Sequence, residues 1–447
     1  MITEGIILAA GKGTRMKSST PKPLHKVAGV ALVGHTIRTM RIAGIETINV
    51  VVSPELVDSD DLRAALLPGV KICVQQEQLG TADALLAAKS NVSSADAVVV
   101  APADMILVDD ETVREMIDLH GSSNALATLL GALVDDPSGL GRIKLDGNGQ
   151  PEAVLEHHEA DDTLLASNLI NTAWYCFDND WIWDVLDSVQ PATTGEVYLP
   201  RVIGAAAAAD RSRVIVSENG EIGLGINDRM QLAAVEKIVR RLTNKAHMAS
   251  GVTLQDPDNT YIDIDVEIGS DTTIGAGSHI GTRSSIGVNV EIGPNSQITS
   301  SQIGDGAKVD GARIIDSIVG AGASVGSNSL VRVGSNLMPG AKVGNLAEIK
   351  NSVIGQGAHV SHFSYVGDAT VGKNANIGAG TITCNYDGKE KHSTVIEDDA
   401  RIGSSTMLVA PVTVGKGART GAGSVVRNDV VAGDTVVGVP AISVKSK

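Results

Sequence analysis

The chain has 447 residues, with 36 Lys and Arg against 52 Asp and Glu, a formal net charge of −16. That acidity excludes nonspecific binding to nucleic acid or to an anionic membrane surface, and three Trp, five Tyr and two Phe leave little to stack on bases. An apolar fraction of 43% excludes wholesale disorder, and at about 150 residues per domain the length suggests two or three domains. Cys73, Cys176 and Cys384 make no disulfide framework, which fits a reducing compartment. The opening MITEGIILAAG has no basic residue before its apolar stretch, so no secretory signal is expected. No apolar run reaches the ~20 residues of a membrane span. The expectation is a soluble cytoplasmic protein with no stable membrane association and no nucleic-acid partner.

In chain order, residues 6–9 predict a buried strand running into a glycine loop, 31–43 a helix and 48–52 a strand. Residues 60–67 predict a short helix with an acidic start, 70–74 a strand, 81–88 a helix and 97–100 a strand. Apolar strands alternating with helices point to a Rossmann-like α/β domain, a parallel sheet covered on both faces, with ligands beyond the carboxyl ends of the strands. From 227 to 247, Met230, Leu232, Val235, Ile238, Val239 and Leu242 recur at steps of three and four, with no Gly or Pro between. This predicts one linker helix, with Asp228 in its first turn and Arg240, Arg241 and Lys245 in its last.

Of the 49 Gly, 30 lie beyond residue 250. There Ile268, Ile274, Ile280, Ile286, Ile292 and Ile298 are spaced by six, and the series resumes from Ile303 to Ile377 and from Ile396 to Val414, with some steps of five. A six-residue aliphatic period is the signature of a parallel β-helix. Three hexads make a triangular coil, each aliphatic stacking on the residue about 18 positions on, which gives about nine or ten coils. The break TITCNYDGKEKHST, residues 381–394, is expected to leave the coil as a loop and reach a neighbouring prism. Heterologous contacts closing with threefold symmetry would make a homotrimer through the β-helix. The domains are therefore placed at 1–226, 227–247 (the linker helix) and 248–447.

Four groups in the first domain carry chemistry. LAAGKGTRM, residues 8–16, follows the first strand; Gly11 and Gly13 let backbone amides approach a phosphate, and Lys12, Arg15 and the downstream Lys22 add charge. A plain βα turn is the alternative. In QQEQLGTADAL, residues 75–85, the Gln75 amide can pair with a base edge, Gly80 offers open backbone and Thr81 can cap the next helix. A simple capped helix is the other reading. Asp104, at a strand end, is either a Mg²⁺ ligand, with Asn227 supplying a second oxygen, or a helix cap. Gly139 to Arg142, Glu156, and Asn171 with Thr172 are candidate sugar binders, while Trp174, Trp181 and Trp183 read as core. In the β-helix, Arg332 and Lys350 suit a sugar phosphate, and a neutral His362, with Tyr365 and Asn376 nearby in sequence, can take a proton from an amine. A solvated surface would place the same residues.

Taken in order, LAAGKGTRM, EQLGT, the GRI at 141–143, the EH at 156–157, INT at 170–172, NIGAGTITCNYDG at 376–388 and LVAPVTVGKGA at 408–418 resemble the bacterial bifunctional N-acetylglucosamine-1-phosphate uridylyltransferase and glucosamine-1-phosphate N-acetyltransferase family over nearly the whole chain. The resemblance implies a nucleotidyltransferase domain followed by a left-handed parallel β-helix. It implies a UTP and UDP-N-acetylglucosamine site at Leu8, Ala9, Ala10, Gly11, Lys22, Gln75, Gly80, Thr81, Gly141, Glu156, Asn171 and Asn227, with Arg15 and Lys22 serving catalysis. Asp104 and Asn227 would hold Mg²⁺. Arg332, Lys350, Tyr365 and Asn376 would bind glucosamine-1-phosphate, His362 would be the general base, and Ala379, Asn385, Tyr386, Ser404 and Ala422 would line the acetyl-CoA site. The implied order is acetyl transfer, then uridylyl transfer. The chain departs from the family pattern at Pro102-Ala103, usually Tyr-Gly, at Asp83, often His, at Pro200-Arg201, usually Thr-Asp, and at Gly438, an Arg in some members. A sugar-1-phosphate nucleotidyltransferase with another sugar or nucleotide, its β-helix serving assembly, is the alternative.

Overall fold

Nearly continuous apolar runs build the first sheet. In this computed structural model, which describes residues 1–92, 95–191 and 195–444, the strands run in the order Ser212–Ser217, Ala127–Leu133, Leu169–Asp178, Ala97–Pro102, Thr3–Leu8, Thr47–Val52, Lys71–Val74. Ile7, Val50 and Val99 bury on one face, Ile6, Val51, Val98 and Val100 on the other, so helices cover both sides. The four strands from Ala97–Pro102 to Lys71–Val74 are parallel, as the βα alternation predicts. The whole sheet is not. Leu169–Asp178 runs antiparallel to both of its neighbours, because the chain returns from Ala127–Leu133 through the hairpin Arg142–Leu145 and Pro151–Leu155 rather than through a helical crossover. Two predicted helices also stop early, at Asp60–Ala65 and Thr81–Leu86.

Residues divide into two units, 1–239 and 240–447, and the helix Arg229–Ala249 runs through the division. Asp228 sits just ahead of that helix rather than in its first turn. Its carboxylate accepts from the N–H groups of Met230 and Gln231, each at 2.9 Å, which satisfies donors the helix cannot.

The second unit is a coil of two- and three-residue strands in three sheets of 12, 10 and 9 strands, parallel throughout except for the last strand, Ile442–Ser443, which folds back antiparallel on Thr435–Val437. It is a left-handed parallel β-helix. Ile274, Ile292, Val309, Val325, Val343 and Val360 stack in one register column, and Ile280, Ile298, Ile314, Val331, Ile349 and Val366 in another, all in one continuous core. The 18-residue stacking holds for Ile274 on Ile292, but each step of five shortens a coil, and Ile298 pairs with Ile314. The break at 381–394 is smaller than expected. Ile382–Cys384 stays in the coil as a strand, Thr394–Ile396 rejoins it, and only 385–393 departs, pinched by a Tyr386–Lys391 bridge. The final three residues of the expected 248–447 domain lie outside the described residues. Cys73, Cys176 and Cys384 are free thiols. Among the described residues, no helix is long and apolar enough to cross a membrane.

Candidate active sites

The ends of the Thr3–Leu8, Lys71–Val74 and Ala97–Pro102 strands open on a cavity of about 660 Å³. The glycine loop forms one wall. Gly13 holds φ at +58°, and a Cβ there would meet the Lys22 Cβ at 2.6 Å, so only glycine lets the loop close over Lys22. The Lys22 ammonium donates to the Asp104 carboxylate and, at 2.8 Å, to Asn227 Oδ1. Arg15 donates to the same Asn227 oxygen at 2.9 Å. Four residues from three distant stretches of the chain thus meet in one polar knot. Asp104 is no helix cap; the helix Asp110–Ser122 is capped by Asp109.

Leu8, Ala9, Ala10, Gly11, Gln75, Gly80 and Thr81 all line the cavity. Gly80 precedes the Thr81–Leu86 helix at φ +129°, where a Cβ would lie 2.5 Å from the Val197 carbonyl. Thr81 does not cap that helix. Its hydroxyl accepts instead from Leu199 N–H at 2.9 Å and ties in the segment that crosses the cavity mouth.

On the sugar side, the Leu169–Asp178 strand bulges between Asn171 and Tyr175, with Ala173 at φ +61°. The bulge turns Asn171 into the cavity, where its amide donates to the Tyr175 hydroxyl at 2.6 Å. Glu156 faces the same space, and burial, then the Glu159 charge, push its carboxyl above the usual range; His158 pulls it back, and Glu196 adds the smallest push. Gly141 lies behind the wall: its carbonyl accepts from Asn171 N–H at 2.9 Å. Arg142 and Thr172 are not sugar binders. Arg142 is buried and holds the Leu140 and Ser167 carbonyls, and the buried Thr172 hydroxyl donates to Leu130 at 2.7 Å. Trp174 and Trp183 are buried in the core. Gln78, Glu196, Tyr198 and Pro200 also line the cavity; sequence reasoning assigned none of them a role, though Gln78 stands in the QQEQLGTADAL motif and Pro200 at a departure from the family pattern. No spacing ties the last three to the glycine loop; they arrive because Val197 bonds to Leu79 and Ala82 through its backbone, at 2.8 and 3.0 Å.

In the coil, one ridge of corners joins the 12-stranded to the 10-stranded sheet. Successive coils bond along it: Phe363 N–H to Asn345, Gly380 N–H to His362, Ser405 N–H to Ala379 and Gly423 N–H to Ser404. The ridge therefore brings His362, Ala379, Ser404 and Ala422, beside Gly423, into one column. His362 Nδ1 accepts from the Asn345 N–H at 3.0 Å, so the neutral ring carries its proton on Nε2.

On the 10-stranded sheet, Arg332 pairs in register with Lys350, and Tyr365 lies across from Glu348. Arg332 grips Glu348 through two nitrogens at 2.8 and 2.9 Å. Asn385 reaches the Tyr365 hydroxyl at 3.4 Å and also bonds Asp368. Burial alone would raise the Asp368 carboxyl; hydrogen bonds from Asn351 and Asn385 and the charges of Lys350 and Lys391 outweigh it and hold it low. Lys350 in turn lowers the pKa of Lys391, chiefly through a hydrogen bond and then through charge repulsion. Glu348, Asp368 and Lys391 escaped sequence reasoning, since the excursion loop folds Lys391 back from outside the six-residue period. Tyr386 opens that loop and is exposed. Asn376 lies apart, on the 12-stranded sheet between His359 and Arg401.

A glycine-loop cavity over a mixed α/β sheet, followed by a hexapeptide coil with an imidazole on its ridge, defines a transferase of two sites. Residues 5–133 match the MobA-like NTP transferase domain, 285–383 the GlmU-like C-terminal hexapeptide and 393–428 the bacterial transferase hexapeptide of six repeats. The bifunctional protein GlmU of Heliobacterium modesticaldum is 41% identical over 436 residues, 96% of this chain and 93% of that one. That of Syntrophomonas wolfei is 41% identical over 434 residues and 96% of both chains, and that of Clostridium novyi 39% over 437 residues, 97% of this chain and 95% of its own. The chain belongs to the bifunctional GlmU family. It is a transferase that makes UDP-N-acetylglucosamine, moving acetyl from acetyl-CoA to glucosamine-1-phosphate and then uridylyl from UTP, with release of pyrophosphate.

Proposed function

We propose that the cavity of the first unit is the uridylyl-transfer site and the coil ridge the acetyl-transfer site, with roles divided among the residues above. The observation that carries the first assignment is the meeting of Arg15, Lys22, Asp104 and Asn227 beside a glycine loop. A sugar-phosphate oxygen attacks the α-phosphorus of UTP, the bond to pyrophosphate breaks, and little covalent help is needed. Lys22, Arg15 and the amides of the loop at Gly11 orient the phosphates and offset their charge. Gln75, Gly80 and Thr81 face the base. Asn171 and Glu156 receive the sugar hydroxyls, and Gly141 holds Asn171 in place.

Asp104 and Asn227 offer the hard oxygen donors that Mg²⁺ takes alongside substrate phosphates, and the Lys22 ammonium bonded to both supports reading the spot as one that favours positive charge. When bound, Mg²⁺ would neutralise phosphate charge there.

In the second reaction the ammonium of glucosamine-1-phosphate loses a proton before its nitrogen attacks the thioester carbonyl of acetyl-CoA, and CoA thiolate leaves. His362 is the base. In the tautomer set by this bond its basic lone pair is the Nδ1 pair that accepts from the Asn345 N–H, so taking the substrate proton requires the ring to leave that donor. Lys350, Arg332 and Tyr365 hold the sugar phosphate, and Ala379, Ser404, Ala422, Asn385 and Tyr386 line the acetyl-CoA track. Asn376, on another sheet, reaches the sugar of a neighbouring chain in a homotrimer built through the coil. The enzyme works in the cytoplasm, a reading that the free thiols support.

Two variants test the division. Asp104→Ala abolishes pyrophosphate release while CoA release persists; His362→Ala does the reverse. Near-normal acetylation by His362→Ala removes the imidazole as base, and loss of both activities in either folded variant refutes separate sites.

A further inference from the structure

Gln75 is buried, and its amide nitrogen has two acceptors: the Gly80 carbonyl at 3.1 Å and the Asp83 carboxylate at 2.7 Å. An amide nitrogen carries two hydrogens, and both are thereby committed. The Asp83 contact is charge-assisted, the stronger kind. Turning the amide over would place its oxygen against a carboxylate and a carbonyl, three acceptors together at a buried site. The amide is therefore fixed in one sense, and since Gln75 lines the cavity with both N–H groups used, its oxygen is the group left to a base there. Asp83 does not line that cavity; it stands behind Gln75 on the first turn of the Thr81–Leu86 helix.

We propose that Asp83 is a positioning residue that sets the pyrimidine choice of the uridylyl-transfer site. This rests on the reading of Gln75 as the base contact. A locked oxygen accepts only from a base that presents an N–H. Uracil has one at N3, between two carbonyls. Cytosine has a lone pair at the same atom, which would face the Gln75 oxygen acceptor to acceptor. The two bases have almost the same shape, so shape alone discriminates little between them, whereas an unmatched buried acceptor weighs heavily. Freed of Asp83, the amide keeps only the weaker bond to the Gly80 carbonyl, so turning it over to offer a donor to cytosine N3 costs less than in the wild type.

The experiment measures pyrophosphate release by the full chain with Mg²⁺ and N-acetylglucosamine-1-phosphate, taking kcat/KM for UTP and for CTP. CoA release by the same samples reports that each protein is folded. Asp83→Ala is expected to lower the UTP-over-CTP ratio by about tenfold or more, through a gain on CTP as well as a loss on UTP. Asp83→Asn, whose carbonyl still accepts, is expected to fall between Asp83→Ala and the wild type. A ratio within twofold of wild type in Asp83→Ala, while Gln75→Ala loses the discrimination, overturns the role of Asp83 and leaves the base contact standing. Should Gln75→Ala keep the wild-type ratio, the base-contact reading fails and this proposal with it.

Discussion

Glu156 shows how much a single side chain can depend on its loop. Its backbone N–H donates to Glu159 at 3.3 Å, and Glu159 is gripped by Arg201 at 2.8 Å, so the turn that presents Glu156 is tied to the segment crossing the cavity mouth. The same turn brings a second carboxylate close, and after burial Glu159 is the largest cause of the raised Glu156 pKa. A carboxyl raised in the native state holds its proton to higher pH than in the unfolded chain. Native stability is therefore unaffected below the unfolded pKa and falls as pH rises through the folded one. Activity moves the other way, because the ionised form accepts from sugar hydroxyls: kcat/KM for N-acetylglucosamine-1-phosphate should climb through an acid limb displaced above the ordinary Glu value of about 4.3. Glu159→Gln keeps an acceptor for Arg201 but removes the like charge, so that limb should move to lower pH. Glu156→Gln should abolish the limb. A pH profile of uridylyl transfer that Glu159→Gln leaves in place would disconnect the two carboxylates.

At the scale of elements, the coil and the sheet differ in how much their residues disclose. The coil is periodic, its aliphatics face one shared core, and a count of six with occasional fives locates most strands from Ile274 to Val414 without knowledge of anything distant, Ile382–Cys384 being an exception. Ile349 illustrates the packing: it is fully buried and stacked between Val331 and Val366. Ile349→Ala should cost about 2–5 kcal/mol by leaving a cavity that neighbouring coils cannot close. Heating should then inactivate acetyl transfer several degrees earlier, with uridylyl transfer little changed; equal losses in both would mean that the coil is not an independent source of stability. The sheet discloses less. The four strands from Ala97–Pro102 to Lys71–Val74 were legible as apolar runs, but the parallel pair Ala127–Leu133 and Ser212–Ser217 and the antiparallel Leu169–Asp178 were not, since strand direction depends on a returning hairpin and not on local hydrophobicity. The site divides in the same way. Lys22, Asp104 and Gln75 were legible because each sits beside a strand or glycine signal. Glu196, Tyr198 and Lys391 were not, because long-range backbone pairing and a folded-back loop bring them in. Thr172 and Arg142 were misread for the converse reason: polar residues beside a site were already engaged with buried carbonyls.

At the scale of the whole molecule, the placement of the acetyl-transfer residues bears on assembly. Lys350 and Tyr365 belong to the 10-stranded sheet, and Asn376 to the 12-stranded sheet, with the His362 ridge between them. One prism turns these faces in different directions, and a solenoid has few lateral contacts of its own, so under the proposed homotrimer a complete sugar site would take the faces of two chains. Complementation tests this directly. Lys350→Ala and Asn376→Ala should each be nearly inactive in acetyl transfer when pure. After joint unfolding and refolding at equal amounts, about a quarter of interfaces would take Lys350 from one intact chain and Asn376 from another under random mixing in a cyclic trimer. CoA release should then recover to about a quarter of wild type, while pyrophosphate release, confined to the first unit, stays the same before and after mixing. Recovery requires that the two residues act across an interface. If the mixture is as inactive as its components, each site lies within a single chain and the shared-site trimer is wrong.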